Sequence, residues 1–185
     1  MNTWPDNTIC CTGEDLVLRV IREHDAHALG AIQPGDLSCS QGEWAFPPNN
    51  PLPWIQAGLK ALSEQTGFRA GIWQGEILAG FVSLMGVHKG NRSAAISYAL
   101  DSRFRGLGIM TRACHALCDY AFSSLELNRL QIECDVANTP SRAVAERLGF
   151  ILEGILRDRY RGEQGFRDCV LYSCLAREWK VTKYV

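Results

Sequence analysis

The stretch FRAGIWQGEILAGFVSLMGVHKGNRSAAISYALD, residues 68–101, constrains the fold more than any other part of the chain. It is rich in apolar and β-branched residues and breaks only at Gln74-Gly75 and at Lys89-Gly90-Asn91. Turns this short leave no room for a crossover, so the three runs must be antiparallel neighbours in one sheet. A different pattern follows. GIMTRACHALCDYAFSSL (108–125) sets Met110, Ala113, Cys114, Leu117, Cys118 and Ala121 on one stripe of an amphipathic helix, and RLQIECDVAN (129–138) is strand-like. An antiparallel meander that passes into a strand, helix, strand unit gives an α+β fold with a mixed sheet.

The flanking segments extend this pattern. EDLVLRVIRE (14–23) alternates through Leu16, Leu18 and Val20, and Ala28, Leu29 and Ile32 after it stand at helical spacing. A helix is expected from Ile55 to Ser63 and a short one over TPSRAVAERLGF (139–150), with two strands after it. The order is β α α β β β α β α β β, in a single domain over residues 1–185. GEWAFPPNNPLPW (42–54) holds four prolines and reads as a loop. It is either a rigid connector anchored by Trp44 and Trp54 or a functional loop.

Composition excludes several function classes. Over 185 residues the net charge is -1, so the chain carries no overall basic field for nucleic acid. No run of 18 apolar residues appears, and the start MNTWPDNTICC lacks a basic then apolar leader, so no membrane role and a cytoplasmic address are expected. The cysteines, Cys10, Cys11, Cys39, Cys114, Cys118, Cys134, Cys169 and Cys174, form no C-x-x-C pair and read as small buried hydrophobes. A metal site at Cys114, His115 and Cys118 is disfavoured, because adjacent helical residues point about 100° apart.

DSRFRGLGIMTRA (101–113) places Gly106 and Gly108 between a strand and a helix. A helix start presents N–H groups and partial positive charge, and glycines let backbone approach an anion. The turn therefore suits a phosphate, or it only turns a corner. A P-loop needs lysine after its last glycine, where this chain has Ile109, and a dinucleotide fingerprint needs a third glycine where it has Thr111.

Arg103, Phe104, Arg105, Gly106, Leu107 and Gly108 read R-x-x-G-x-G, which resembles the acyl-CoA signature of the GCN5-related N-acetyltransferases. NTPSRAVAERLGFILEG looks like the N-x-x-S...A-x-x-L-G-F-x-x-E-G stretch of the branch that acetylates ribosomal-protein serine and alanine N-termini. FRDCVLYSCL, with Asp168 and Tyr172, is similar to that branch's closing strand. The resemblance implies a mixed, mostly antiparallel seven-stranded sheet flanked by helices, with splayed central strands. It also implies acetyl-CoA as co-substrate, with no metal.

For the site, the resemblance implies that N–H groups of residues 104 to 109, including Gly106, Leu107 and Gly108, hold the pyrophosphate. Thr111 lies nearby, and Arg103 and Arg105 either add charge-assisted contacts or are solvated surface side chains. Backbone amides from Tyr98 to Leu100 would hold the thioester carbonyl and favour its oxyanion. Asn138 matches the family asparagine that contacts the pantetheine arm; its other reading is a helix N-cap. Many relatives carry a tyrosine acid where this chain has Ala145; Ser141, which matches the branch's serine in N-x-x-S, is the replacement candidate for a hydrogen bond to the thiolate, and its other reading is a first-turn hydroxyl bonded to the local backbone. Glu133 shares a strand face with Gln131 and Asp135 and either reaches an amine through water or is a solvated or salt-bridged side chain. An acid of the ribosomal branch would fall around Asp158 to Tyr160, without a secure match.

An α-amine of pKa about 8 is roughly a tenth neutral at pH 7, against about 0.04% for a lysine, so an N-terminal acceptor needs little from a base. The expected function is transfer of an acetyl group to a primary amine, best the N-terminal α-amine of a protein. Rival readings are a small-amine acetyltransferase and a non-catalytic acyl-CoA sensor. Edge strands of such a sheet can pair across a homodimer.

Overall fold

Both glycine turns of residues 68–101 form, and the three runs that they separate are β3 (Phe68–Gln74), β4 (Ile77–His88) and β5 (Ser93–Leu100), paired antiparallel. Gly75 sits at φ 59°, a left-handed conformation that a side chain would strain. The computed structural model describes residues 4–6, 8–11, 15–33, 50–162 and 165–179. Before β3 stand β1 (Thr8–Cys11), β2 (Val17–Val20), the short α1 (Ala26–Gly30) and α2 (Leu52–Ser63). After β5 come α3 (Ile109–Ser123), β6 (Arg129–Asp135), α4 (Thr139–Arg147), β7 (Ile151–Gly162) and β8 (Gly165–Leu175).

The strands form one sheet of eight in the order β1-β2-β3-β4-β5-β6-β8-β7. Every neighbouring pair is antiparallel except β5 and β6, which α3 joins in parallel. The expected count was seven. The additional strand is β1, from the segment read as irregular: its four residues TICC carry no alternation, and pairing with β2 is what defines it. α2 begins at Leu52, ahead of the expected Ile55, because Pro51 and Pro53 stand at its start, where a missing N–H costs nothing.

The sheet separates two cores. Leu18, Phe68, Ala70, Ile72, Val82 and Ile96 pack with Ala113, Leu117 and Ala121 of α3 and with Val144 and Ala145 of α4. Ile21, Leu29, Ile55, Trp73 and Phe81 make the second core, and Trp54 of α2 packs edge-on to Phe81 at 4.8 Å between ring centroids. Trp54 is thus an anchor, while Trp44 lies outside the described residues. Cys114, Cys118, Cys134, Cys169 and Cys174 are reduced and buried. Burial pushes the Cys114 and Cys118 thiols up, which leaves them as apolar packing groups. Cys39 and the side chains of Cys10 and Cys11 lie outside the described residues.

Candidate active site

The parallel ladder between β5 and β6 runs from Ser93↔Arg129 to Ile96↔Ile132 and stops. Each strand continues with its other neighbour, β5 to Gly80↔Leu100 with β4 and β6 to Asp135↔Cys169 with β8. The two strands therefore diverge, and Ser97–Leu100 faces Glu133–Asp135 across a wedge with no rungs between them. An extended chain with amide groups suits such a wedge, because it can pair with an exposed strand edge.

At the C-terminal end of β5 stands Asp101, fully buried. Its carboxylate accepts from the Arg103 N–H at 2.9 Å, from Arg103 Nε at 2.9 Å and Nη2 at 3.0 Å, and from the Gln33 N–H at 3.1 Å. The Arg103 fork, followed by those backbone donors, outweighs burial and holds the carboxyl at about 2. Arg103, expected as a phosphate contact or a solvated side chain, bonds to Asp101 beneath the turn.

Beyond it Gly106 and Gly108 take φ 77° and 72°. A Cβ at either would meet no atom within 4 Å, so conformation rather than crowding calls for glycine there, and the space above the turn is open. Gly108 caps α3, and its carbonyl accepts the Arg112 N–H at 3.1 Å. By helix geometry the N–H groups of the first turn, through Thr111, have no acceptor within the helix. Open backbone, a helix start and exposed Arg105 and Leu107 stand together here, an arrangement that suits an anion. Arg112 is held by Asp15, Nη2 to Oδ1 at 2.5 Å.

On the far side of the wedge, Asn138 caps α4 by accepting the Ser141 N–H at 3.1 Å. The Ser141 hydroxyl lies 2.8 Å from the phenol of Tyr98, which also donates to the Ser141 carbonyl at 3.2 Å. Asn138, Ser141 and Tyr98 thus form one cluster at the wedge.

The acids of β6 are spoken for. Glu133 accepts from Arg159 Nε at 2.7 Å. Asp135 accepts the Tyr160 hydroxyl at 2.7 Å, the Ala137 N–H at 2.7 Å and Arg167 Nε at 2.5 Å; burial raises its pKa, but these donors outweigh it and the net shift is down. Beside them lies a hollow of about 810 Å³ lined by Ile155, Leu156, Arg157, Asp158, Arg159 and Asp168. Asp158 sits there at φ 51° with its N–H on Asp168 Oδ1 at 2.9 Å.

Residues 15–151 match the model of the acetyltransferase (GNAT) domain. The chain belongs to the GNAT acetyltransferase family. It is 35% identical over 181 residues to YdaF of Bacillus subtilis (strain 168), whose name assigns it as a ribosomal N-acetyltransferase, covering 94% of this chain and 98% of that one. Its fold matches RimL, the ribosomal L7/L12 α-N-protein acetyltransferase solved with coenzyme A, at a TM-score of 0.81 and 25% identity over 91% of this chain and 97% of that one. It also matches MccE, the microcin C7 self-immunity acetyltransferase solved with acetyl-CoA and AMP, at a TM-score of 0.79 and 25% identity over 89% and 94%. This GNAT protein is an acetyl-CoA-dependent N-acetyltransferase.

Sequence reading of the GNAT site missed three features. It valued Tyr98 for its backbone, not for a phenol that reaches Ser141 from 43 residues away. It did not see Asp101 beneath the turn, although an aspartate two residues before an arginine at a strand end is a local signal for such a brace. Nor did it pair Glu133 with Arg159, a contact between strands that no spacing reveals.

Proposed function

We propose that this GNAT enzyme acetylates the N-terminal α-amine of a protein, with a ribosomal protein as the acceptor class. The observation that carries this reading is similarity to YdaF along nearly the whole of both chains. Acetyl-CoA binds with its pyrophosphate on Gly106, Leu107 and Gly108 and the start of α3, Thr111 included, and Arg105 adds charge at the rim. Its arm lies in the wedge against Tyr98–Leu100, with Asn138 holding both the α4 start and the arm.

In the transfer step the backbone amides of Tyr98 to Leu100 stabilise the oxyanion, and Ser141 hydrogen-bonds the departing thiolate. A neutral α-amine attacks directly, with no covalent enzyme intermediate. Glu133, gripped by Arg159, orders water beside the amine and is not needed as a strong base, because an α-amine already supplies its neutral form near pH 7. The chain acts as one catalytic domain. Exposed Ile151, Leu152 and Ile155 on the edge strand β7 support pairing with a second copy.

The test is acetyl-CoA consumption with a panel of peptides bearing free or blocked N-termini, alongside polyamines, amino acids and aminoglycosides. Turnover confined to free N-terminal peptides is expected. Turnover on small amines alone overturns the acceptor class, and CoA binding with silence throughout favours a sensor.

A further inference from the structure

We propose that Tyr98 is a positioning residue and proton source behind Ser141, so that two hydroxyls from different elements protonate the departing thiol as a unit. This rests on the acetyl-transfer reading and deepens it. One phenol touches two polar groups of the same residue: the Ser141 hydroxyl at 2.8 Å and its carbonyl at 3.2 Å. Tyr98 stands two residues past the last β5–β6 rung, so its side chain crosses to α4 just where the strands part. Ser141 is itself held, its N–H on the Asn138 cap and its residue buried. Ala145, one turn further along α4, is fully buried and has no proton to give.

A second hydroxyl adds a proton supply that serine lacks. A serine does not ionise in the accessible pH range, so alone it only hydrogen-bonds a thiolate. A phenol near pKa 10 lies within about 1.5 units of a thiol near 8.5, close enough to share a proton with it. When Tyr98 donates to the Ser141 carbonyl, the serine proton points at the phenol. Rotation of the phenol O–H onto the Ser141 oxygen turns the serine proton toward the wedge. As the carbon–sulfur bond breaks and its electron pair goes to sulfur, Ser141 passes its proton to sulfur and takes the phenol's. The phenolate recovers a proton from solvent, which has received the one lost by the amine nitrogen.

The experiment compares wild type, Tyr98→Phe, Ser141→Ala and the double variant by kcat and KM, by calorimetry of CoA binding, and by ultraviolet titration of the bound CoA thiol. Each single variant is expected to lose about a hundredfold in kcat with CoA affinity and KM unchanged. The double variant loses no more than either single one. The bound thiol titrates higher in both single variants than in wild type. Additive losses, a Tyr98→Phe enzyme with wild-type kcat and thiol titration, or a kcat loss that tracks weakened CoA binding each overturn the proposal. A wild-type protein that binds no CoA instead contradicts the acetyl-transfer reading itself.

Discussion

The buried carboxylate of Asp101 grips Arg103 through both Nε and Nη2 and at the same time takes the Arg103 and Gln33 N–H groups. The Ser102 N–H returns a bond to the Gln33 carbonyl at 2.9 Å. One residue therefore ties the end of β5, the glycine turn and the chain after α1 together. A turn braced at both ends in this way has less conformational freedom to lose on binding.

Asp101→Asn removes the charge that this bracket is built on. Stability is expected to fall by about 2–3 kcal/mol, the scale of lost hydrogen bonds to a charged group. Acetyl-CoA should bind more weakly, because Arg103 no longer braces the turn. The pH dependence has a definite sign: the folded carboxyl sits at about 2, below its ordinary value of 3.8, so its stabilisation is present above about pH 4 and lost as pH falls toward 2. Urea unfolding of both proteins between pH 7 and pH 3 checks this, with their difference shrinking at the acid end.

Gly108→Ala puts a side chain on a backbone at φ 72°. The left-handed conformation costs about 1–2 kcal/mol for a residue with a Cβ, and no neighbour clashes with it. The protein should fold with a modestly lower Tm, while relaxation of the turn away from φ > 0 weakens CoA binding about tenfold or more. Calorimetry on CoA and a thermal melt separate the two effects.

Glu133→Gln tests whether the β6 acid is a base. Its carboxylate is held by Arg159 at 2.7 Å, so kcat on a peptide with a free N-terminus should change by less than about threefold, and stability by less than about 1 kcal/mol for a pair this exposed. A kcat loss of about a hundredfold would instead make Glu133 the proton acceptor.

The pH profile should belong to the acceptor. With an α-amine, kcat/KM should inflect near pH 8 and level off about a unit above it, and with a lysine side chain it should keep rising toward about pH 10. Steady-state rates for two peptides that differ only in which amine is free decide it. A shared lower inflection would point to a protein base.

Much of the fold was legible because its signals are local. The pairs Gln74-Gly75 and Lys89-Gly90-Asn91 allow only hairpins, the stripe from Met110 to Ala121 allows only an amphipathic helix, and Gly106 with Gly108 marks a strand-to-helix turn. β1 escaped because TICC has no alternation and takes its identity from β2. Trp54 was readable as an anchor, but its ring partner Phe81 was not.

The residues alone determined an α+β chain with a glycine turn from strand to helix in mid-sequence and a serine three residues after the asparagine at the next strand-to-helix corner. These are consequences of backbone conformation and period, which each short segment carries in itself. Only the tertiary structure decided that β5 and β6 part after Ile96 and Ile132, that Arg103 turns down onto Asp101, that Arg159 occupies Glu133, and that Tyr98 reaches Ser141. Each depends on where one strand or helix ends relative to another, and side-chain hydrogen bonds follow from that distance rather than from order along the chain.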